Sequence, residues 1–126
     1  MTEVKVLVPA GMLGAGFTAE SVQRGIALGA DAIAVDGGST DSGPYYLGSA
    51  SPKMPAEAIT ADLRIMLVHG AAAGIPVIVG SAGTGGTDTG VDWVAGLVEQ
   101  IAVEEGLSLR VARIYSEQRA ETNREH

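Results

Sequence analysis

Four short runs of β-branched and aliphatic residues recur along this chain, and a helix-patterned segment separates each from the next. The runs are Lys5 to Val8, Ala32 to Val35, Pro76 to Val79 and Leu109 to Tyr115. Near-continuous apolar runs are the signature of strands buried in a parallel sheet. Between them, Ala19 to Leu28 carries Val22, Ile26 and Leu28, with Thr18 as N-cap and Gly29 as stop. Pro55 to Ala73 carries Ile59, Leu63, Met66, Leu67 and Gly70 as one stripe, and Pro55 suits a first helical turn. Val91 to Glu105 carries Val94, Leu97, Val98 and Ile101, and Gly106 caps it. The order βαβαβαβ predicts an α/β fold, an open parallel sheet with right-handed crossovers and helices on both faces. No two runs have hairpin spacing, which argues against an antiparallel sandwich.

At 126 residues the chain suits a single domain, read here as 1–118. The polar tail 119–126 reads as the first turns of a truncated helix, so the chain is expected to be the N-terminal part of a longer domain. Four parallel strands followed by a cut-off helix would leave an apolar face open, so a homo-oligomer or a partner subunit is expected. With 46% hydrophobic residues the chain is not disordered. The 18 glycines follow no triplet period, which excludes collagen. There is no cysteine, hence no disulfide, thiolate metal site or cysteine nucleophile. Eight basic against 15 acidic residues give a net charge of -7, a poor match to a phosphate backbone, so no nucleic-acid partner is expected. No apolar run approaches the ~18 residues of a membrane span. The N-terminus lacks the basic and apolar regions of a signal peptide, and a cytoplasmic protein is expected.

In open α/β sheets, ligands bind beyond the carboxyl ends of the strands. The unusual residues of this chain follow three of the four runs, at that edge, while the opposite connections are short and plain. After the first run comes Gly14-Ala15-Gly16-Phe17-Thr18-Ala19, formally G-x-G-x-x-A, and Asp36 ends the second run where a ribose-binding acid would stand. Residues 9–13 separate the run from Gly14, whereas the dinucleotide fingerprint needs its first glycine at the strand end. A packing loop is the competing reading. After the third run, Gly80 to Gly90 is rich in glycine and hydroxyls, and its N–H groups suit a carboxylate or phosphate at a helix start. No lysine follows these glycines, so it is not a P-loop.

Asp36, Asp41, Asp88 and Glu117 are the acids of this edge, suited to general acid–base work or to a divalent cation. Solvated or turn-capping carboxylates are the alternative, favoured for Asp41 and Asp88. His69 lies inside a helix with no partner nearby and reads as packing. Ser39 and Ser81 have no evident base and no G-x-S-x-G context. Trp93 reads as helix-to-sheet packing, and Tyr45 and Tyr46 as a pocket wall or a subunit contact.

Three segments in order carry a resemblance: Pro9-Ala10-Gly11-Met12-Leu13-Gly14-Ala15-Gly16-Phe17, then Val35-Asp36-Gly37-Gly38-Ser39-Thr40-Asp41-Ser42-Gly43-Pro44-Tyr45-Tyr46-Leu47-Gly48, then Gly74-Ile75-Pro76-Val77-Ile78-Val79-Gly80-Ser81-Ala82-Gly83. Over about residues 4–118 the chain resembles the N-terminal part of the acyclic terpene utilisation A (AtuA-like) family. Members of that family look longer, several hundred residues, so residues contributed by the remainder are absent here. The resemblance implies a catabolic enzyme, or a subunit of one, in acyclic terpenoid or related carboxylic acid metabolism through CoA thioesters. It supplies no reaction type. It marks Asp36, Ser39, Thr40, Asp41, Ser81 and the glycines as motif positions. The resulting expectation is a carboxylate or acyl-CoA ligand with its anionic end held by Gly14, Gly16, Ser39, Thr40, Ser81, Gly83, Thr84 and Gly85. Asp36, with Asp41 and Glu117, would do the acid–base or metal chemistry. A nucleotide-binding module and a non-catalytic assembly subunit are the alternatives.

Overall fold

A computed structural model describes residues 2–38, 42 and 44–124 of the chain. It is an α/β protein built on a three-stranded parallel sheet of order β1-β2-β3. The strands are β1 (Val6–Leu7), β2 (Ala32–Asp36) and β3 (Val77–Gly80). The helices are α1 (Ala19–Ala27), α2 (Pro44–Ser49), α3 (Ala56–Ala73), α4 (Asp88–Glu105) and a short α5 (Ala120–Arg124).

Local chemistry explains the long helices. The Thr18 hydroxyl accepts the Ser21 N–H at 3.2 Å and starts α1. Thr87 does the same for Gly90 at 3.0 Å, so α4 begins at Asp88, three residues before the expected start. Gly74 and Gly106 end α3 and α4 in the left-handed conformation that glycine adopts without steric penalty. The segment 36–46 reads from sequence as loop, yet Pro44–Ser49 form a short helix, α2, that opens on Pro44.

Ladder register places Leu7, Ile33 and Val77 in one row of the sheet, with side chains on the same face. Leu7 packs on α1 at Gly25, where a Cβ would lie 2.6 Å from Leu7 Cδ1. Ile33 and Val77 pack on α3 at Gly70, where a Cβ would lie 2.8 Å from Val77 Cγ2. Both helices therefore share one face, and α4 packs beside α3. Between them and the sheet lies the core, with Val22, Ile33, Ile59, Leu63, Met66 and Ile101 at its centre. On the other face Val6 and Ile78 are 53% and 54% exposed.

Two expectations need correction. Helices on both faces are not seen for α1 and α3. Strand order 1-2-3 advances in one direction, and successive right-handed crossovers in one direction place their helices on one side. The fourth strand, Leu109 to Tyr115, forms no ladder. The segment runs without regular secondary structure beside α4, held by side chains of that helix rather than by the edge of β3. The first strand is also shorter than Lys5 to Val8, because only Val6 and Leu7 pair with β2.

Candidate functional site

The segments that follow the three strands meet at the carboxyl edge of the sheet. The Leu13 N–H donates to the Asp36 carbonyl at 2.7 Å, which fastens the first loop to the end of β2. The Gly37 N–H donates to the Gly80 carbonyl, which fastens the end of β2 to the end of β3. Gly38 lies directly on the Thr84 backbone, with no room for a Cβ. The Thr84 hydroxyl accepts the Lys53 N–H at 2.8 Å, and Lys53 Nζ donates to the Ser42 hydroxyl at 2.9 Å. One connected path thus runs from Asp36 through Gly38 and Thr84 to Lys53. We refer to this edge as the rim.

Asp36 is exposed, and its Oδ1 accepts the Gly38 N–H at 3.0 Å, a turn-capping bond. Among the described residues its second oxygen accepts no hydrogen bond. Asp88 and Glu117 form a second acidic pair. Glu117 Oε2 accepts the Asp88 N–H at 2.9 Å, at the start of α4, and Asp88 Oδ1 accepts the Glu117 N–H at 3.4 Å. The tail of the chain therefore supplies a carboxylate to the positive end of the α4 dipole.

Gly14 and Gly16 have their N–H groups committed within the chain. Both donate to Asp62 Oδ2, at 2.7 and 3.2 Å. Asp62 lies on α3 and is only 3% exposed. Gly83 and Thr84 are buried, and a Cβ at Gly83 would lie 2.6 Å from the Gly90 Cα. Ser81 and Gly85 are half-buried on the rim. Ser81 and Thr84 both hold positive φ, 46° and 77°, conformations costing non-glycine residues roughly 1–3 kcal/mol each. Ser39, Thr40 and Asp41 lie outside the described residues. Among the described residues, no group of three or more His, Asp or Glu side chains is placed to hold a metal ion.

Of the other residues noted in the sequence, His69 is half-buried within α3, and Trp93 packs against the core from α4. Tyr45 and Tyr46 sit edge-to-face on α2, ring centroids 5.2 Å apart, with Tyr45 70% exposed.

Two contributors escape a reading of motifs alone. Asp62 follows Ile59 by three and precedes Met66 by four, so an acid sits on the buried stripe of α3, and that conflict was its signal. Lys53 carried no motif and is recognised only by its contacts with Thr84 and Ser42.

No described helix is long and apolar enough to cross a membrane. Comparison with family models, with curated proteins and with solved structures returns no match to this chain.

Proposed function

We propose that this chain is the ligand-binding part of a cytoplasmic catabolic enzyme acting on a carboxylate or acyl-CoA thioester. One observation carries the reading. The Asp36–Gly38–Thr84–Lys53 path sets an exposed carboxylate and an exposed ammonium on one rim, at the end of the strands where open α/β sheets bind ligands. Lys53 would pair with the anionic end of the ligand, and Ser81 and Gly85 would line its approach. Asp36 would take or give the proton. A divalent cation at Asp36 remains compatible with this arrangement. The resemblance to the AtuA-like family supports the same substrate class.

The test is a calorimetric titration with an acyl-CoA thioester, a simple carboxylate and NAD. Binding of the thioester or the carboxylate, weakened at least tenfold in Lys53→Ala, is the expected result. In an assay that detects wild-type turnover, Asp36→Asn should be inert while folded, because an amide oxygen still accepts the Gly38 N–H. Binding of NAD with neither of the other ligands would overturn the reading in favour of a nucleotide module.

The exposure of Val6 and Ile78 on that sheet face favours a second reading, a non-catalytic assembly subunit that packs this face against a second copy. A monomer at all concentrations in sedimentation would sink that reading.

A further inference from the structure

The outer edge of β3 faces an apolar groove of about 530 Å³. One wall is β3 itself, Val77 to Val79; the floor is Leu63 and Leu67 of α3 with Val94 and Val98 of α4. The opposite wall is the segment 109–114.

That segment has a defined direction. Leu107 N–H bonds the Ala102 carbonyl, Arg113 reaches Glu99 and Asp92, Tyr115 reaches Asp92, and Glu117 holds Asp88. As the segment ascends from 107 to 117, its partners descend α4 from 102 to 88. It therefore runs antiparallel to α4. Since α4 is the return helix after β3, the segment runs parallel to β3, in the direction a fourth strand requires.

Its side chains are poorly used where they are. Val111, Ile114 and Tyr115 are 46%, 81% and 50% exposed. Facing them, β3 has, among the described residues, a ladder partner on one side only. Side chains hold the segment in place: Arg113 to Asp92 at 3.0 Å and to Glu99 at 2.6 Å, and Tyr115 to Asp92. All four residues are solvent-exposed, so salt screens the two ion pairs. Moving the segment onto β3 would exchange these contacts for ladder hydrogen bonds and burial of the groove lining.

We propose that 109–114 is a two-position strap, latched to α4 through Arg113 and able to close on β3 as a fourth parallel strand. Closure fills the groove and shields the sheet edge, while release leaves that edge open. The strap acts at the sheet edge and is independent of the ligand proposed for the rim.

Amide hydrogen exchange on the full chain tests it. Exchange is followed residue by residue at about 0.01 M and about 1 M sodium chloride, where the Debye length falls from ~30 to ~3 Å. Unlatching, by high salt or by Arg113→Gln, should slow exchange at alternate amides of 109–114 at least tenfold. Ile33 and Val35 in β2 should be unchanged. Strand N–H groups alternate in direction, so proline at whichever of Val111 and Ala112 points its N–H at β3 must remove the gain. Equal or faster exchange at 109–114 after unlatching would overturn the strap. So would a gain that scales with protein concentration, since a second copy would then be pairing with the edge.

Discussion

A single carboxylate oxygen of Asp62 accepts the Gly14 N–H at 2.7 Å, across a separation of 48 residues in sequence. The same oxygen takes Gly16 at 3.2 Å. This contact fastens the glycine loop after β1 to the middle of α3. Asp62→Ala would strip two backbone donors of their acceptor. We expect a loss of about 2–4 kcal/mol, from the cost of deleting hydrogen bonds to a buried charged group. Asp62→Asn should lose less than half as much, because its amide oxygen still accepts. Urea midpoints measure both, and an Asp62→Ala protein as stable as wild type would refute the assignment.

Gly38 and Thr84 are in backbone contact, and this joins the end of β2 to the loop after β3. Gly38→Ala should cost at least about 3 kcal/mol, the upper range for overpacking, because the added methyl meets backbone that cannot rotate away. Thermal unfolding compared with Gly11→Ala, where a Cβ meets nothing within 4 Å, provides the control.

Gly96 gives the opposite sign. It lies in the interior of α4, exposed, and a methyl group added there would meet nothing within 4 Å. Gly96→Ala should stabilise the protein by roughly 0.5–1 kcal/mol, the helix-propensity difference between the two residues. A loss of stability on denaturant titration would mean that this face of α4 is packed against something in solution.

The Asp92–Tyr115–Arg113 cluster should depend on pH at both extremes. The Tyr115 hydroxyl, and then the Arg113 guanidinium, hold the Asp92 carboxyl below its usual range. A depressed folded value means that the contact is complete above the ordinary aspartate range and is lost as pH falls through the lowered value. The bond to Asp92 raises the Tyr115 phenol above its usual value, against the opposing pull of Arg113. That contribution is complete below the ordinary tyrosine range and is lost as pH rises through the raised value. NMR titration of the Asp92 carboxyl carbon and the Tyr115 ring checks both. An Asp92 midpoint at or above the ordinary value would show that the cluster does not form in solution.

Much of this protein was written locally. The spacing of Ile59, Leu63, Met66 and Leu67 made α3, and Thr18, Thr87, Gly74 and Gly106 supplied helix caps, because helix periodicity and capping act within a few residues. The parallel α/β class followed from alternating runs, and the position of Asp36 at the carboxyl end of β2 followed from its place at the end of an apolar run. Tertiary structure decided the rest. Whether Leu109 to Tyr115 pairs with β3 depends on competition between ladder bonds and the side chains of Asp92 and Glu99, which lie 14 or more residues away. The partner of Gly14 and Gly16 is an aspartate 46 or more residues on, and the Lys53 N–H is bound by Thr84, 31 residues on. Such contacts carry no local pattern, since they depend on where the chain returns in space rather than on the neighbours of each residue.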